Sequence, residues 1–369
     1  MTDRDYMLRA IELAKGGLGW TSPNPLVGAV IVKDGRIIGE GYHERCGKLH
    51  AERNAIASLT ESAEGATLYV TLEPCCHYGK TPPCTEAILE QKIARVVIGS
   101  RDPNPLVAGK GAAILRAAGV RVEEDFMREE CDALNPVFFH YITKKTPYVV
   151  MKYAMTADGK IAARTGDSKW ITGESARKKV QELRHQYMGI MAGIGTVLAD
   201  DPMLNVRIPG LKSPVRIICD SGLRIPMDSK IVQTAKEYRT IVAYAGEYSG
   251  EGCKEAEEKA EQLHAAGVET VSVPDADGRV DLRKLMEYLG KQGIDSVLLE
   301  GGGTLNDAAL SAGIVNEICA FIAPKIFGGA GAKTPVSGIG VAHPAEAVML
   351  TLRQVETIGD DLMLRYSVD

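Results

Sequence analysis

Short β-prone runs alternate with segments of helical period along most of this chain, and that alternation limits the fold more than any other feature. Residues 4–16 set Tyr6, Leu8, Ala10, Ile11, Leu13 and Ala14 at helical spacing, and Gly16-Gly17 ends the helix. Two strand-like runs follow, 27–32 and 36–41, joined by Lys33-Asp34-Gly35, whose Asp-Gly step reads as a hairpin turn. Helical 51–60, strand 67–71, helical 85–91, strand 95–99, helix 109–118 and strand 120–123 complete an α/β layer with a largely parallel sheet after its opening hairpin. The alternation pauses over the Pro-bounded stretch 135–147 and restarts with the strand-like run 148–153. Helices are then expected over 173–187, 253–266, 281–291 and 304–312. Strands are expected over 188–192, 215–219, 239–244, 268–273, 295–300 and 316–322, with an antiparallel pair near 350–357 and 362–368. This layout predicts two domains, 1–145 and 146–369, each long enough to bury a core.

Composition narrows the function. Forty-three basic against 48 acidic residues give a formal charge of −5, and aromatics make up only 5%. A nucleic-acid binder needs basic stripes and stacking rings, so that partner is not expected. The N-terminal segment MTDRDYMLRAIELAKGG lacks the apolar core of a signal peptide, and no apolar run is long enough to span a membrane. A cytoplasmic protein with reduced thiols is the expectation. Eight cysteines, three of them at 75, 76 and 84, then call for a different explanation than disulfides, and metal binding comes first.

His50-Ala51-Glu52 opens a helix, Glu73-Pro74-Cys75 follows a strand, and Cys84 comes nine residues later. A catalytic zinc takes three protein ligands and keeps a place for water, and His50, Cys75 and Cys84 supply that set. Zinc brings the pKa of its water to about 7. Glu52, not a ligand, would carry the proton to a leaving amine. The order H-x-E followed by P-C and a further Cys is that of zinc deaminases. Residues i and i+2 of a regular helix lie ~200° apart, so His50 and Glu52 must sit at the helix's first turn. Cys46, Cys131, Cys219, Cys253 and Cys319 read as structural. A structural zinc with Cys76 or His77 as fourth ligand stays open, as does a nucleic-acid deaminase with an accessory domain.

The segments TSPNPLVGAVIV (21–32), HAERNAI (50–56), TLEPCCHYGKTPPC (71–84) and RDPNPLVAGKG (101–111) together resemble the deaminase half of the bifunctional deaminase/reductase family of riboflavin biosynthesis. The insert before Cys84 departs from the general P-C-x-x-C pattern and marks that branch. The resemblance implies a cytidine-deaminase-like three-layer α/β/α domain in which Asn24, His43, Lys80 and Asn104 contact substrate. Lys80 is a glycine-flanked cation suited to a substrate phosphate.

In the second half, Gly301-Gly302-Gly303-Thr304 lies between a strand and a helix, and so does Gly193-Ile194-Gly195-Thr196. Such turns let backbone approach a phosphate at a helix N-terminus, although neither is G-x-G-x-x-G. MKYAMTADGKIA (151–162), TGDSKWIT (165–172), GIGTVLADDPMLNVR (193–207) and LEGGGTLN (299–306) resemble the reductase half of the same family. That implies a dihydrofolate-reductase-like α/β domain using NADPH. By this resemblance the cofactor meets Ala154, Trp170, Gly195, Thr196, Asp200, Ser221, Gly302, Gly303, Thr304, Leu305, Asn306 and Asp307. The substrate meets Lys152, Ser168, Arg184, Leu204, Arg207 and Glu300. Arginines 184 and 207 also fit a sugar phosphate, which favours guanidinium forks; on its helix, Arg184 equally fits a solvated charged face. No basic partner for the ribose 2′-phosphate of NADPH is assignable from the sequence. The substrate implied is a small pyrimidine ribosyl phosphate, 2,5-diamino-6-ribosylamino-4(3H)-pyrimidinone 5′-phosphate. It is first deaminated and then reduced at its sugar to a ribityl chain. The resemblance also favours a homo-oligomer.

Overall fold

Helix formation starts where the sequence supplies caps. The Thr2 hydroxyl accepts from the Asp5 amide and the Asp5 carboxylate accepts from the Thr2 amide, a reciprocal box that opens α1 (Asp3–Ala14). The computed structural model describes the chain except residues 79–81, 105–106 and 247–251 and the side chains of 252–255. It forms two compact units, Met1–Lys145 and Thr146–Asp369.

In the first unit α1 is followed by β1 (Gly28–Lys33), β2 (Arg36–Tyr42), α2 (Ala51–Ala57), β3 (Thr67–Leu72), α3 (Cys84–Glu90), β4 (Arg95–Ser100), α4 (Lys110–Ala117), β5 (Arg121–Glu123), α5 (Arg128–Asp132) and α6 (Pro136–Lys144). The sheet order is β2-β1-β3-β4-β5. β1 pairs antiparallel with both β2 and β3, while β3, β4 and β5 run parallel. Side chains alternate between the two faces. Ala29, Ile31, Leu68, Val70, Val96 and Ile98 pack on α2, α3 and α4. Val30, Val32, Tyr69 and Val97 pack on Tyr6, Met7, Ala10 and Ile11 of α1 and on Cys131 of α5. This is the three-layer arrangement expected. Two glycines seat α2 on β2: a Cβ at Gly39 would stand 2.5 Å from the Ala55 carbonyl oxygen, and one at Gly41 2.3 Å from the Ala55 nitrogen.

The second unit contains β6 (Tyr148–Thr156), α7 (Glu174–Gln186), β7 (Gly189–Gly193), α8 (Ile194–Asp200), β8 (Val215–Cys219), α9 (Lys230–Gln233), β9 (Thr240–Tyr244), α10 (Gly252–Ala265), β10 (Glu269–Ser272), α11 (Leu282–Lys291), β11 (Ser296–Leu299), α12 (Gly303–Ser311), β12 (Glu317–Ala323), β13 (Leu350–Ile358) and β14 (Asp361–Val368). Its nine-stranded sheet has the order β10-β9-β8-β7-β11-β6-β12-β14-β13. Strands β10 to β12 run parallel, and β14 and β13 close the row antiparallel. One face buries Met151, Met191, Ile217 and Leu299 under α11 and α12. The other buries Ile190, Ile218 and Val242 under α8, α9 and α10.

Three details correct the sequence reading. The stretch 135–147 read as a pause is mostly α6, because Pro136 stands in its first turn, where its missing N–H costs nothing. The helix read over 51–60 ends at Ala57, where the Ser58 hydroxyl donates to the carbonyls of Ala55 and Glu40. Helix α9, four residues long, is too short to show a period.

Candidate functional site

His50 is the N-cap of α2, with extended backbone (φ −74°, ψ 165°), and Glu52 lies in its first turn. The cap geometry removes the angular conflict of a regular helix and lets both side chains serve one cavity. Cys84 is the first residue of α3, and Cys75 lies in the segment after β3. The Cys84 amide donates to the Cys75 carbonyl (3.1 Å), which holds the two thiols together. His50 Nδ1 is 3.5 Å from Cys75 Sγ and 3.4 Å from Cys84 Sγ, and the three donor atoms all lie within 4.8 Å of one another. Hydrogen bonding from Cys84 keeps the Cys75 thiol below its ordinary value, towards the thiolate a metal takes. Among the described residues, Cys76 and His77 stand outside this close group. An imidazole and two thiolates with a fourth position open suit zinc of the catalytic kind. Glu52 is 3% exposed, and burial lifts its carboxyl to about 7, a value suited to a group that takes and returns a proton.

His50, Glu52 and Cys75 line a cavity of about 320 Å³ together with Asn24, His43, Glu73, His77, Asp102 and Asn104. The His43 Nδ1–H donates to the Leu49 carbonyl (2.9 Å) and Nε2 lies 3.2 Å from the Asn24 amide nitrogen. Burial lowers the His43 pKa, so the neutral ring accepts from Asn24. Lys80 lies outside the described residues. Sequence reasoning passed over three supports. Glu73 accepts from the amides of Gly109 (2.9 Å) and Gly111 (3.0 Å) at the start of α4, which pins the Glu-Pro-Cys segment. Asp102 accepts from the Asn104 amide (2.8 Å), and burial raises it to about 6. Asn135 trades two bonds with the Leu26 backbone (2.7 and 2.9 Å), anchoring the loop that carries Asn24. The only signal for Glu73 and Asp102 was an acidic residue inside a motif already chosen for its neighbours.

In the second unit the residues expected at the cofactor gather at the carboxyl ends of four adjacent strands, β8, β7, β11 and β6. Ser221 follows β8, Gly195 and Thr196 open α8 after β7, Gly302 caps α12 after β11, and Ala154 is on β6. Ligands of parallel sheets bind at such edges. Cβ atoms added to Gly195 or Gly302 would meet nothing within 4 Å, whereas one at Gly303 would stand 2.9 Å from Ser337 Oγ. Gly303 is therefore required by packing of the 334–337 segment. Thr304, Leu305, Asn306 and Asp307 form the first turns of α12, and Asp200 ends α8, 3.4 Å from Lys169. Ser168 and Trp170 lie on the loop before α7; Trp170 is 62% exposed, with the Arg177 guanidinium 4.7 Å above its ring.

Glu300, just beyond β11, lies between two cations. Its carboxylate accepts from Arg184 Nε (2.7 Å) and Nη2 (3.1 Å) and is 2.9 Å from Lys152 Nζ. Arg184 gives its remaining fork nitrogen to the Asn205 carbonyl (3.1 Å), so its donors serve Glu300 and the chain; it is buried, not on a solvated face. Leu204 is buried at φ 49°, and Arg207 is exposed, its amide held by Gln181 Oε1 (2.9 Å).

Residues 1–100 match the family model described as the cytidine and deoxycytidylate deaminase zinc-binding region, and residues 147–364 match the RibD C-terminal domain. The riboflavin biosynthesis protein RibD of Actinobacillus pleuropneumoniae is 58% identical over 368 residues, covering 100% of this chain and 96% of that one. The chain belongs to the RibD family. A solved RibD from Acinetobacter baumannii is 38% identical with a TM-score of 0.87, covering 100% of this chain and 99% of that one. The Thermotoga maritima diaminohydroxyphosphoribosylaminopyrimidine deaminase/5-amino-6-(5-phosphoribosylamino)uracil reductase is 39% identical with a TM-score of 0.86, covering 99% and 98%. As a RibD-family member the chain is a bifunctional enzyme of riboflavin biosynthesis, a zinc-dependent deaminase and an NADPH-dependent reductase.

Proposed function

We propose that Met1–Lys145 deaminates 2,5-diamino-6-ribosylamino-4(3H)-pyrimidinone 5′-phosphate and that Thr146–Asp369 reduces the product's ribosyl group to the ribityl chain. The observation that carries the first half is the close group of His50, Cys75 and Cys84, two of which line one cavity with the buried Glu52. His50, Cys75 and Cys84 would hold zinc, which would supply a Lewis acid able to lower the pKa of water. Glu52 takes the proton of the attacking water and delivers it to the departing ammonia. Asn24, His43 and Asn104 orient the pyrimidine, and Lys80 takes the phosphate.

In the reductase unit NADPH supplies the hydride. Gly195, Thr196 and Gly302–Asp307 would hold it at its phosphates, with Ala154, Trp170, Asp200 and Ser221 completing the groove. Lys152, held by Glu300, faces the sugar together with Ser168, Arg184, Leu204 and Arg207. Arg184 also braces Glu300, and the exposed Arg207 is a cation suited to the sugar phosphate. The enzyme acts in the cytoplasm on a small molecule, not on nucleic acid or a membrane. The charge of −5 supports this, and among the described residues no helix is long and apolar enough to cross a membrane. A homo-oligomer is supported by β13, an end strand of the sheet that exposes Leu350, Leu352 and Val355. Light scattering that returned the mass of a single chain would refute it.

The deciding test assays the purified chain for ammonia release and for pyridine-nucleotide oxidation, with NADPH and NADH compared. Ammonia release that survives full zinc removal, or reduction that precedes deamination, would overturn this reading.

A further inference from the structure

A cofactor carrying a 2′-phosphate needs a cation at the adenosine end of its groove. The groove proposed above has a direction. The groups assigned to the reacting sugar, Lys152 and Glu300, belong to β6 and the end of β11, whereas Ser221 follows β8, two strands beyond β11 in the sheet order. The adenosine end therefore lies towards β8. The turn after β8 runs Asp220-Ser221-Gly222-Leu223-Arg224.

That turn is built to a fixed shape. The Asp220 carboxylate, fully buried, accepts from the Ile225 amide (2.8 Å), and the Leu223 amide returns to the Asp220 carbonyl (3.0 Å). The Ala245 amide donates to the Ser221 carbonyl (3.1 Å), and the Ser221 hydroxyl accepts from the Val280 amide (3.2 Å). Arg224 projects from this frame. A Cβ on Gly222 would lie 3.7 Å from the Arg224 Cγ, so the arginine stem runs over the residue next to Ser221. Its side chain is 62% exposed, and the carboxylate it approaches is Asp220, with Nε 3.5 Å from Oδ1. That contact is long and uses one edge of the guanidinium. The Nη atoms remain available for a doubly charged phosphate, which a guanidinium binds in bidentate fashion.

We propose that Arg224 is the residue that selects NADPH over NADH, by binding the ribose 2′-phosphate beside Ser221. This rests on the cofactor reading given above for Gly195, Thr196, Ser221 and Gly302–Asp307. Arg279 is the rival cation, since its neighbour Val280 bonds Ser221. It belongs to a separate turn, where its amide is tied to Asp275.

The test uses the full chain and three variants, Arg224→Ala, Arg224→Lys and Arg279→Ala. Calorimetry with 2′,5′-ADP and with 5′-AMP reads binding of the 2′-phosphate without catalysis. For wild type, 2′,5′-ADP should bind more tightly than 5′-AMP. A charge-assisted contact of this kind corresponds to about a 10- to 100-fold effect. Arg224→Ala should lose that margin, raise KM for NADPH by the same factor and leave KM for NADH and ammonia release unchanged. Arg224→Lys should recover part of the margin, and Arg279→Ala should keep all of it. Equal weakening of NADPH and NADH in Arg224→Ala, or an unchanged ratio, would overturn the proposal, as would loss of the margin in Arg279→Ala. If wild type binds neither 2′,5′-ADP nor NADPH, the underlying cofactor reading itself fails, a result distinct from a failure of Arg224.

Discussion

Replacing Glu300 by Gln removes one negative charge from between two buried cations. The contacts are 2.7 Å to Arg184 Nε and 2.9 Å to Lys152 Nζ, and the three side chains are only 10 to 12% exposed. Each pair near 3 Å has a gross attraction of about 5 kcal/mol at an effective dielectric of 20, most of it offset by desolvation. Breaking a buried pair by deleting one partner costs about 3–5 kcal/mol, because the other charge stays buried and uncompensated. Here two cations are left facing each other, so the upper end of that range is expected. Urea unfolding of the full chain should therefore show the reductase unit destabilised by about 5 kcal/mol. Reduction should fall about 100-fold as Lys152 loses its anchor, while ammonia release continues. The pH dependence carries a sign. Burial alone would raise the Glu300 carboxyl, but Arg184 and Lys152 outweigh burial and hold it well below the usual carboxylate range. A depressed acid stabilises the fold above its unfolded pKa of about 4.3, and that stabilisation is lost as pH falls through the folded value. Wild type should lose stability in strong acid over that window, and Glu300→Gln should lack this component. A loss under about 1 kcal/mol with an unchanged acid limb would refute the argument that the triad is a coupled buried network.

Glu52→Gln should retain one zinc per chain by elemental analysis and release no ammonia, while the deaminated substrate is still reduced; retained deamination would remove Glu52 from the proton path. Cys75→Ala should lose zinc, and full stoichiometry would count against its ligand role. Glu73→Ala leaves the first amides of α4 without their buried acceptor, at a cost of about 1–3 kcal/mol, and should weaken zinc retention against a chelator; unchanged retention would separate Glu73 from the site. Arg216 is fully buried and donates to Thr240 Oγ1, Thr234 Oγ1 and the carbonyls of Ile231 and Met203. Arg216→Met should destabilise the second unit by about 3 kcal/mol through the acceptors it strands and raise the reductase KM by loosening the 203–207 loop; an unfolding midpoint equal to wild type would contradict this.

Local pattern carried the layout of both units, since two-residue alternation and helical period are set by which face of an element meets a core. It also carried the metal triad, because the ligand chemistry restricts residue type and the residues stand beside recognisable element ends. His50 and Glu52 were legible as a pair, yet their angular relation became consistent only when α2 was seen to begin at Ala51 with His50 as an extended cap. The Asn135–Pro147 stretch misled because a proline marks a helix start as readily as a break.

Taken alone, the sequence determined two α/β units, a zinc-type donor set with its acid, and two glycine turns beside helices. Only the tertiary structure decided what those side chains face. It separated Gly195 and Gly302, with open space beside them, from Gly303, whose missing Cβ is filled by the 334–337 segment. It turned Arg184 from a charge on a helix into a buried brace for Glu300, 116 residues away. It brought Glu73 to the start of α4 and Asn135 to Leu26. The physical reason is range. Element type and ligand chemistry follow from residues close in the chain, whereas burial, charge pairing and free space depend on partners that sequence spacing does not encode.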